Sequence, residues 1–401
     1  MASFGVEFGV HRNRLGLAAA LLLAGVLLHA GVLAHDSGLS NGVFRSRDGG
    51  ASWLQVNAGS FASGALALAV HPTDTHHLLL ATDSGLVRSR NGGRDWQVEA
   101  SDVLRGPAFA VTFDPHGAQA MMSGANALYR SEGNRWREAR TPAGSAPARV
   151  LIPGRVAGRA YLAGWTGLHR TDDWGQSWTR VGKEISAEYV SALAIPLDRQ
   201  NEIHALAGGR VWTSTDGARS WRVDQGTPLR IDALASDRAV PSRLWIVAAG
   251  RAYRKQDRAS RWEPVGATIP DPQATARGID VLNDAMLIIT DRGLFRSQDS
   301  GATWTLLGAE LPNHSEATLL VRDPNALATV YAGFSRTGPE QLKWLSPTPD
   351  KPSAWREAAL SVGPYVAFGL LLLGVELIVR RMPRAGTATK KDRSIDMRTK
   401  S

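Results

Sequence analysis

The chain has 401 residues, 43% of them hydrophobic and 21% charged, which is enough apolar material for a sizeable core and excludes a disordered or fibrous protein. It contains no cysteine, so disulfide staples, thiolate nucleophiles and thiolate metal ligands are all excluded. The formal charge of +9 is concentrated in residues 380–401, where eight Lys and Arg face only Asp392 and Asp396; the remainder is nearly balanced, which argues against a nucleic-acid partner.

Leu15–Ala34 is an uncharged apolar run of the length that crosses a bilayer. Its basic flank, His11-Arg12-Asn13-Arg14, and its small-residue end also match a cleavable signal peptide, so residues 1–34 are either a signal or an N-terminal anchor. A second apolar run, Val362–Val379, is interrupted only by Glu376 and is followed at once by Arg380 and Arg381. With basic flanks at both outer ends, the positive-inside bias predicts a C-terminal transmembrane helix over 362–380 and a basic cytoplasmic tail over 381–401. Residues 35–361 are then expected on the periplasmic side of the inner membrane.

Between the two runs the sequence repeats. Seven segments, beginning FRSRDGGASW and ending FRSQDSGATW, place tryptophans at Trp53, Trp96, Trp136, Trp178, Trp221, Trp262 and Trp304, spaced by 40 to 43 residues. A fixed period of this size is the mark of a propeller or solenoid. The segments carry Ser/Thr-x-Asp-x-Gly-x-x-Trp in Ser46, Asp48, Gly50 and Trp53, in Thr171, Asp173, Gly175 and Trp178, and in Ser297, Asp299, Gly301 and Trp304. Other copies depart from it: Asn91 precedes Trp96, the copy at Trp136 is two residues short, and Ala218 replaces the glycine after Asp216. Lys255 replaces the serine before Asp257 and Trp262.

These residues are what a hairpin lock requires: a carboxylate to accept N–H bonds of its own turn, a hydroxyl for a second local bond, a glycine for positive φ, and a large ring to bury beside the turn. The acidic residues are therefore read as structural, not as acids or metal ligands. The segments ALALAVHPTDTHHLLLAT, AVTFDPHGAQAMMSG, VSALAIPLDRQNEIHALAG and LLVRDPNALATVYAG add an apolar strand, a turn and a second apolar strand upstream. Strand, turn, strand, strand, lock, strand is one propeller blade. The chain opens on a half-unit, 42–56, and the last upstream half is 317–334, so one blade built from both ends closes an all-β, seven-bladed propeller of four-stranded antiparallel blades over 35–336. The competing count is eight, with a distorted copy ending at Trp355; on the count of seven, 337–361 is a neck.

The pattern resembles the Asp-box, or BNR, repeat. Propellers of that family include sialidases, xyloglucanase-type glycosidases, sortilin-type receptors and the photosystem II assembly factor, so the fold alone does not choose a function. A sialidase is argued against by the tyrosines, since Tyr129, Tyr161, Tyr253 and Tyr331 fall in repeat strands, Tyr365 in the second apolar run and only Tyr189 near a free loop, and by the absence of Arg-Ile-Pro. A glycosidase needs two carboxylates, for which the loops opposite the locks offer Asp83, Asp291 and Glu188, with Glu184 and Glu316 beside them. Asp83 and Asp291 recur in ATDSGL and ITDRGL, as turn residues do. The same loops carry Arg105, Arg149, Arg230, Arg277, Arg292 and Arg336, a set suited to an acidic protein surface. His71, Asp74, His76 and His77 are read as a solvated connecting turn, and no cofactor or metal is called for. The resemblance to the exported assembly-factor propellers implies a non-catalytic scaffold with a protein partner; glycoside hydrolysis is the alternative.

Overall fold

A computed structural model describes residues 41–335, except 58–63, 134, 186–188, 257–260, 309–310 and 313–315. Both apolar runs, the neck, the basic tail, Glu188, Asp257, Arg336 and Trp355 lie outside the described residues. Among the described residues no helix is long and apolar enough to cross a membrane.

Short apolar runs form the strands, many of them buried along their whole length because each blade packs on both faces, and the glycines and aspartates between them form turns. Strands β1 (Gly42–Ser46) and β2 (Leu54–Gln55) come first among the described residues. Blade 1 is β3 (Ala65–His71), β4 (Asp74–Thr82), β5 (Gly85–Ser89) and β6 (Gln97–Glu99); blade 2 is β7 (Ala108–Phe113), β8 (Ala120–Gly124), β9 (Leu128–Glu132) and β10 (Arg135–Ala139). Blade 3 is β11 (Val150–Pro153), β12 (Ala160–Gly164), β13 (Gly167–Thr171) and β14 (Thr179–Val181); blade 4 is β15 (Val190–Ala194), β16 (Ile203–Ala207), β17 (Arg210–Ser214) and β18 (Arg222–Val223). Blade 5 is β19 (Ile231–Ser236), β20 (Leu244–Ala248), β21 (Arg251–Lys255) and β22 (Glu263–Val265); blade 6 is β23 (Ala276–Leu282), β24 (Ala285–Thr290), β25 (Gly293–Ser297) and β26 (Thr305–Leu307). Finally β27 (Glu316–Arg322) and β28 (Val330–Ser335) join β1 and β2 in the order β2-β1-β28-β27, so blade 7 is made from both ends of the propeller.

Every blade is antiparallel throughout. The first strand of each blade touches the first strand of the next, and β27 touches β3, so the ring closes at seven. The core lies between the blades, where large side chains such as Leu79, Met122, Tyr161 and Phe295 lose all or nearly all their exposure. At the closure, Phe44 of β1 meets Phe334 of β28 edge to face, with ring centroids 5.7 Å apart.

The hairpin joining the third and fourth strands carries the lock. In blade 7, Ser46 Oγ accepts the Gly50 N–H at 2.7 Å and donates to Asp48 Oδ1 at 2.7 Å. Asp48 also accepts the N–H groups of Ala51 and Ser52, both at 2.9 Å, and the Ser52 hydroxyl at 2.6 Å. Asp173, Asp216 and Asp299 bind their turns in the same way. Where Asn91 replaces the aspartate, its amide nitrogen donates to Asp95, which stands in the place of Ser52. Ala218 adopts the glycine conformation, with φ at +72°, and its N–H still reaches Ser214.

The tryptophans tie blade to blade: Trp96 Nε1 donates to Val56 O of blade 7, Trp136 to Glu99 of blade 1, and Trp304 to Ala267 O in the connection leaving blade 5. Trp53 and Trp221 instead cap their own turns. One sequence expectation is corrected. His76 and His77 lie in β4 and His71 ends β3, because the strands run on to a two-residue turn at Pro72-Thr73, so only that pair is loop.

Candidate functional site opposite the lock turns

Antiparallel order fixes two faces. The lock turns and the turns between first and second strands share one; the turns between second and third strands and the connections between blades share the other. Asp83, Asp291, Arg105, Arg149, Arg230, Arg277 and Arg292 all fall on this second face, where the sequence placed them.

Asp83 and Asp291 do not form a pair: they belong to blades 1 and 6, with blade 7 between them. Each ties its turn to the chain entering its own blade. Asp291 Oδ1 accepts the Thr275 N–H at 2.8 Å while its own N–H donates to Thr275 O. Asp83 N–H donates to Gly64 O, and its carboxylate lies so close that a Cβ on Gly64 would sit 2.7 Å from Asp83 Oδ2. The shared bond explains why the two sequence segments look alike.

The first strands reach this face through a β-bulge near their start in six blades, which turns one extra side chain outward at the rim. In blade 5 that residue is Asp232 and in blade 6 it is Arg277. Sequence reasoning missed Asp232, which reads as an ordinary polar position of a strand. Burial pushes its carboxyl above the usual range and neighbouring Asp291 adds to this, while the Arg277 charge and the Ala249 N–H oppose it.

Arg105, Arg230, Arg277 and Arg292 are exposed, and Arg149 is half-buried. Arg292 donates to Gln273 Oε1 at 2.7 Å and lies 3.9 Å from Asp271, which holds it along the rim. The sequence also gave no warning of the apolar part of this face. Trp165, in the turn between β12 and β13, leans on Tyr189 at a centroid distance of 5.8 Å, and both rings are exposed. Leu229, beside Arg230, is 90% exposed. A rim that combines guanidinium groups with open aromatic and aliphatic surface can hold a chain that carries both carboxylates and apolar side chains.

On the lock face, His71 and His77 stack at 5.0 Å and both meet the edge of Phe113. His77 Nε2 lies 2.7 Å from Arg88, and burial with that charge lowers its pKa to about 4. This pair is packed against neighbours as a strand end is, and His76 stays outside it, beside Asp74.

No protein-family model matches the chain. It is 25% identical over 227 residues to a xyloglucanase of Paenibacillus sp, covering 51% of this chain and 21% of that protein. It is 25% identical over 193 residues to a probable oligoxyloglucan-reducing end-specific xyloglucanase of Neosartorya fischeri, covering 43% and 23%. The aligned part thus spans about a fifth of the length of these curated relatives. Among solved structures, YCF48 from Cyanidioschyzon merolae is similar with a TM-score of 0.54 at 16% identity, over 71% of this chain and 99% of that one. YCF48 bound to D1 peptide gives 0.53 at 17%, over 68% and 93%. A xyloglucanase of family GH74 from Xanthomonas campestris gives 0.54 at 19%, over 71% and 56%. These likenesses show the fold.

Proposed function

We propose that the chain is a non-catalytic, membrane-anchored scaffold whose propeller stands on the extracytoplasmic side and holds an acidic segment of a protein partner on the face opposite the locks. The observation that carries this reading is the presence of exposed Arg105 and Arg230 on the same face as exposed Trp165, Tyr189 and Leu229. Asp83 and Asp291, two of the acidic residues the sequence singled out there, are engaged in turn geometry. The test is affinity capture with the full-length protein in detergent, comparing the native chain with Arg105→Glu/Arg230→Glu. A partner retained by the first and released by the second is expected; equal retention overturns the reading. Proteolysis of spheroplasts checks the topology, with the propeller cut from outside and the basic tail protected.

A second reading, glycoside hydrolysis, is supported by the xyloglucanase relatives and by Asp232, whose carboxyl burial raises above the usual range on the face that also carries Asp291. Asp232→Asn then abolishes release of reducing ends from xyloglucan oligosaccharides. Absence of such release by the native protein removes this reading.

A further inference from the structure

One residue shared by the third strands is missing from a single blade. The middle residue of FRS, VRS, YRS, HRT, YRK and FRS is arginine in six third strands, at Arg45, Arg88, Arg130, Arg170, Arg254 and Arg296. In two blades that arginine reaches across and donates to the lock turn of the next blade: Arg45 to Gly92 O, and Arg170 to Gly217 O at 2.8 Å. Blade 4 has Thr213 there, and on the neighbouring strand His204 pairs with it where the other blades have Tyr331, Leu79, Met121, Tyr161, Trp245 or Leu287. Two shorter or more polar side chains replace the large pair, and both line a cleft of about 920 Å³ between blades 4 and 5.

The cleft has chemistry of its own. His204 and Glu202 are almost fully buried, with His204 Nε2 2.9 Å from Glu202 Oε1 and His204 Nδ1 2.9 Å from Thr213 Oγ1. An ionised carboxylate only accepts, so Nε2 carries the proton. Burial lowers the pKa of His204 against the pull of Glu202 and keeps the ring neutral, which leaves Nδ1 as an acceptor for the Thr213 hydroxyl. The Thr213 oxygen therefore meets the cleft with lone pairs alone and selects a donor, such as a ligand hydroxyl.

The charge in the cleft selects an anion. Lys255 is neutralised by Asp224, its ammonium lying 2.7 Å and 2.8 Å from the two carboxylate oxygens. Arg222, paired in register with Thr213, and Arg261 are exposed and make no ion pair with a described residue. Trp262 forms part of the wall, and its indole N–H is buried without a hydrogen-bond partner.

We infer that the cleft between blades 4 and 5 binds a small hydroxylated carboxylate of sugar-acid size, its carboxylate on Arg222 and Arg261 and a hydroxyl donating to Thr213. Arg222, Arg261 and Thr213 are not among the rim residues of the scaffold reading, so the site stands or falls independently of it. Titration calorimetry of the full-length protein in detergent tests it, with sodium D-glucuronate, D-glucose and inorganic phosphate as probes. Glucuronate binds, while glucose and phosphate bind at least about tenfold more weakly. Arg222→Gln weakens glucuronate about tenfold with an unchanged melting temperature, because that side chain is exposed; Thr213→Val weakens it by a similar factor. No heat with glucuronate, equal binding of phosphate or glucose, or an unaffected Arg222→Gln variant would each overturn the inference.

Discussion

A single lock aspartate shows how far the chemistry of this chain is spent on structure. Asp216 accepts two hydroxyls, from Ser214 at 2.8 Å and Ser220 at 2.6 Å, and two N–H groups, from Arg219 and Ser220, both at 3.0 Å. Burial alone would raise its pKa, but these bonds favour the ionised form and take it down to about 2. A carboxyl lowered in the folded state stabilises the fold above its unfolded pKa, near 4, and that contribution disappears as the pH falls towards 2. Asp216→Ala is expected to lower stability by about 1 kcal/mol at neutral pH, with the gap to the native protein closing between pH 4 and pH 2. Thermal melts of both proteins across that range check it. A gap that persists unchanged at pH 2 would mean that the carboxylate charge is not what holds the turn.

At the scale of the hairpin, the arginine of one blade secures the lock of the next. Arg170 donates to Gly217 O and, with Arg159, grips Asp172, so the third strand of blade 3 and the turn of blade 4 are one bonded unit. Arg170→Thr, which copies what blade 4 naturally carries, is expected to cost about 1–3 kcal/mol and to speed amide exchange in residues 216–220, leaving blade 6 unchanged. Exchange followed by mass spectrometry reads both. This scale also marks the limit of what the sequence discloses. Tryptophan spacing and lock residues reveal the hairpins because a turn is built from neighbours in the chain. Asp232 lies close to the charges of Arg277 and Asp291 in the next blade and Thr213 lines a cleft shared with blade 5, but strand alternation treats both as ordinary positions. The departure at Thr213 is visible in the repeat itself, eight residues before Trp221 where the other third strands carry arginine, but the sequence does not show what faces it across the blades. Trp165 is hidden for a related reason: an aromatic residue between two strands reads as core until the turn that exposes it is seen.

For the whole molecule, the half-units at either end are the one long-range fact that the sequence makes legible, since a hairpin without its partner strands has to find them elsewhere. The structure joins them through β1 and β28, in register from Gly42 with Phe334 to Ser46 with Val330. Closing a ring this way stabilises every blade, because each interface is buried only while both neighbours stay in place. An open ring exposes two apolar blade faces and an unpaired strand edge. Phe44 and Phe334 sit at that seam, fully buried and edge to face, although they are far apart in the chain. Phe334→Ala is expected to cost about 3–5 kcal/mol, and with Phe44→Ala the double-mutant cycle should show a coupling of about 1 kcal/mol. If closure governs the fold, the loss appears as one earlier transition in tryptophan fluorescence during denaturant unfolding, because the tryptophans are distributed around the ring. A separate early transition confined to blade 7, with the other blades melting at the native midpoint, would show that the ring tolerates an open seam.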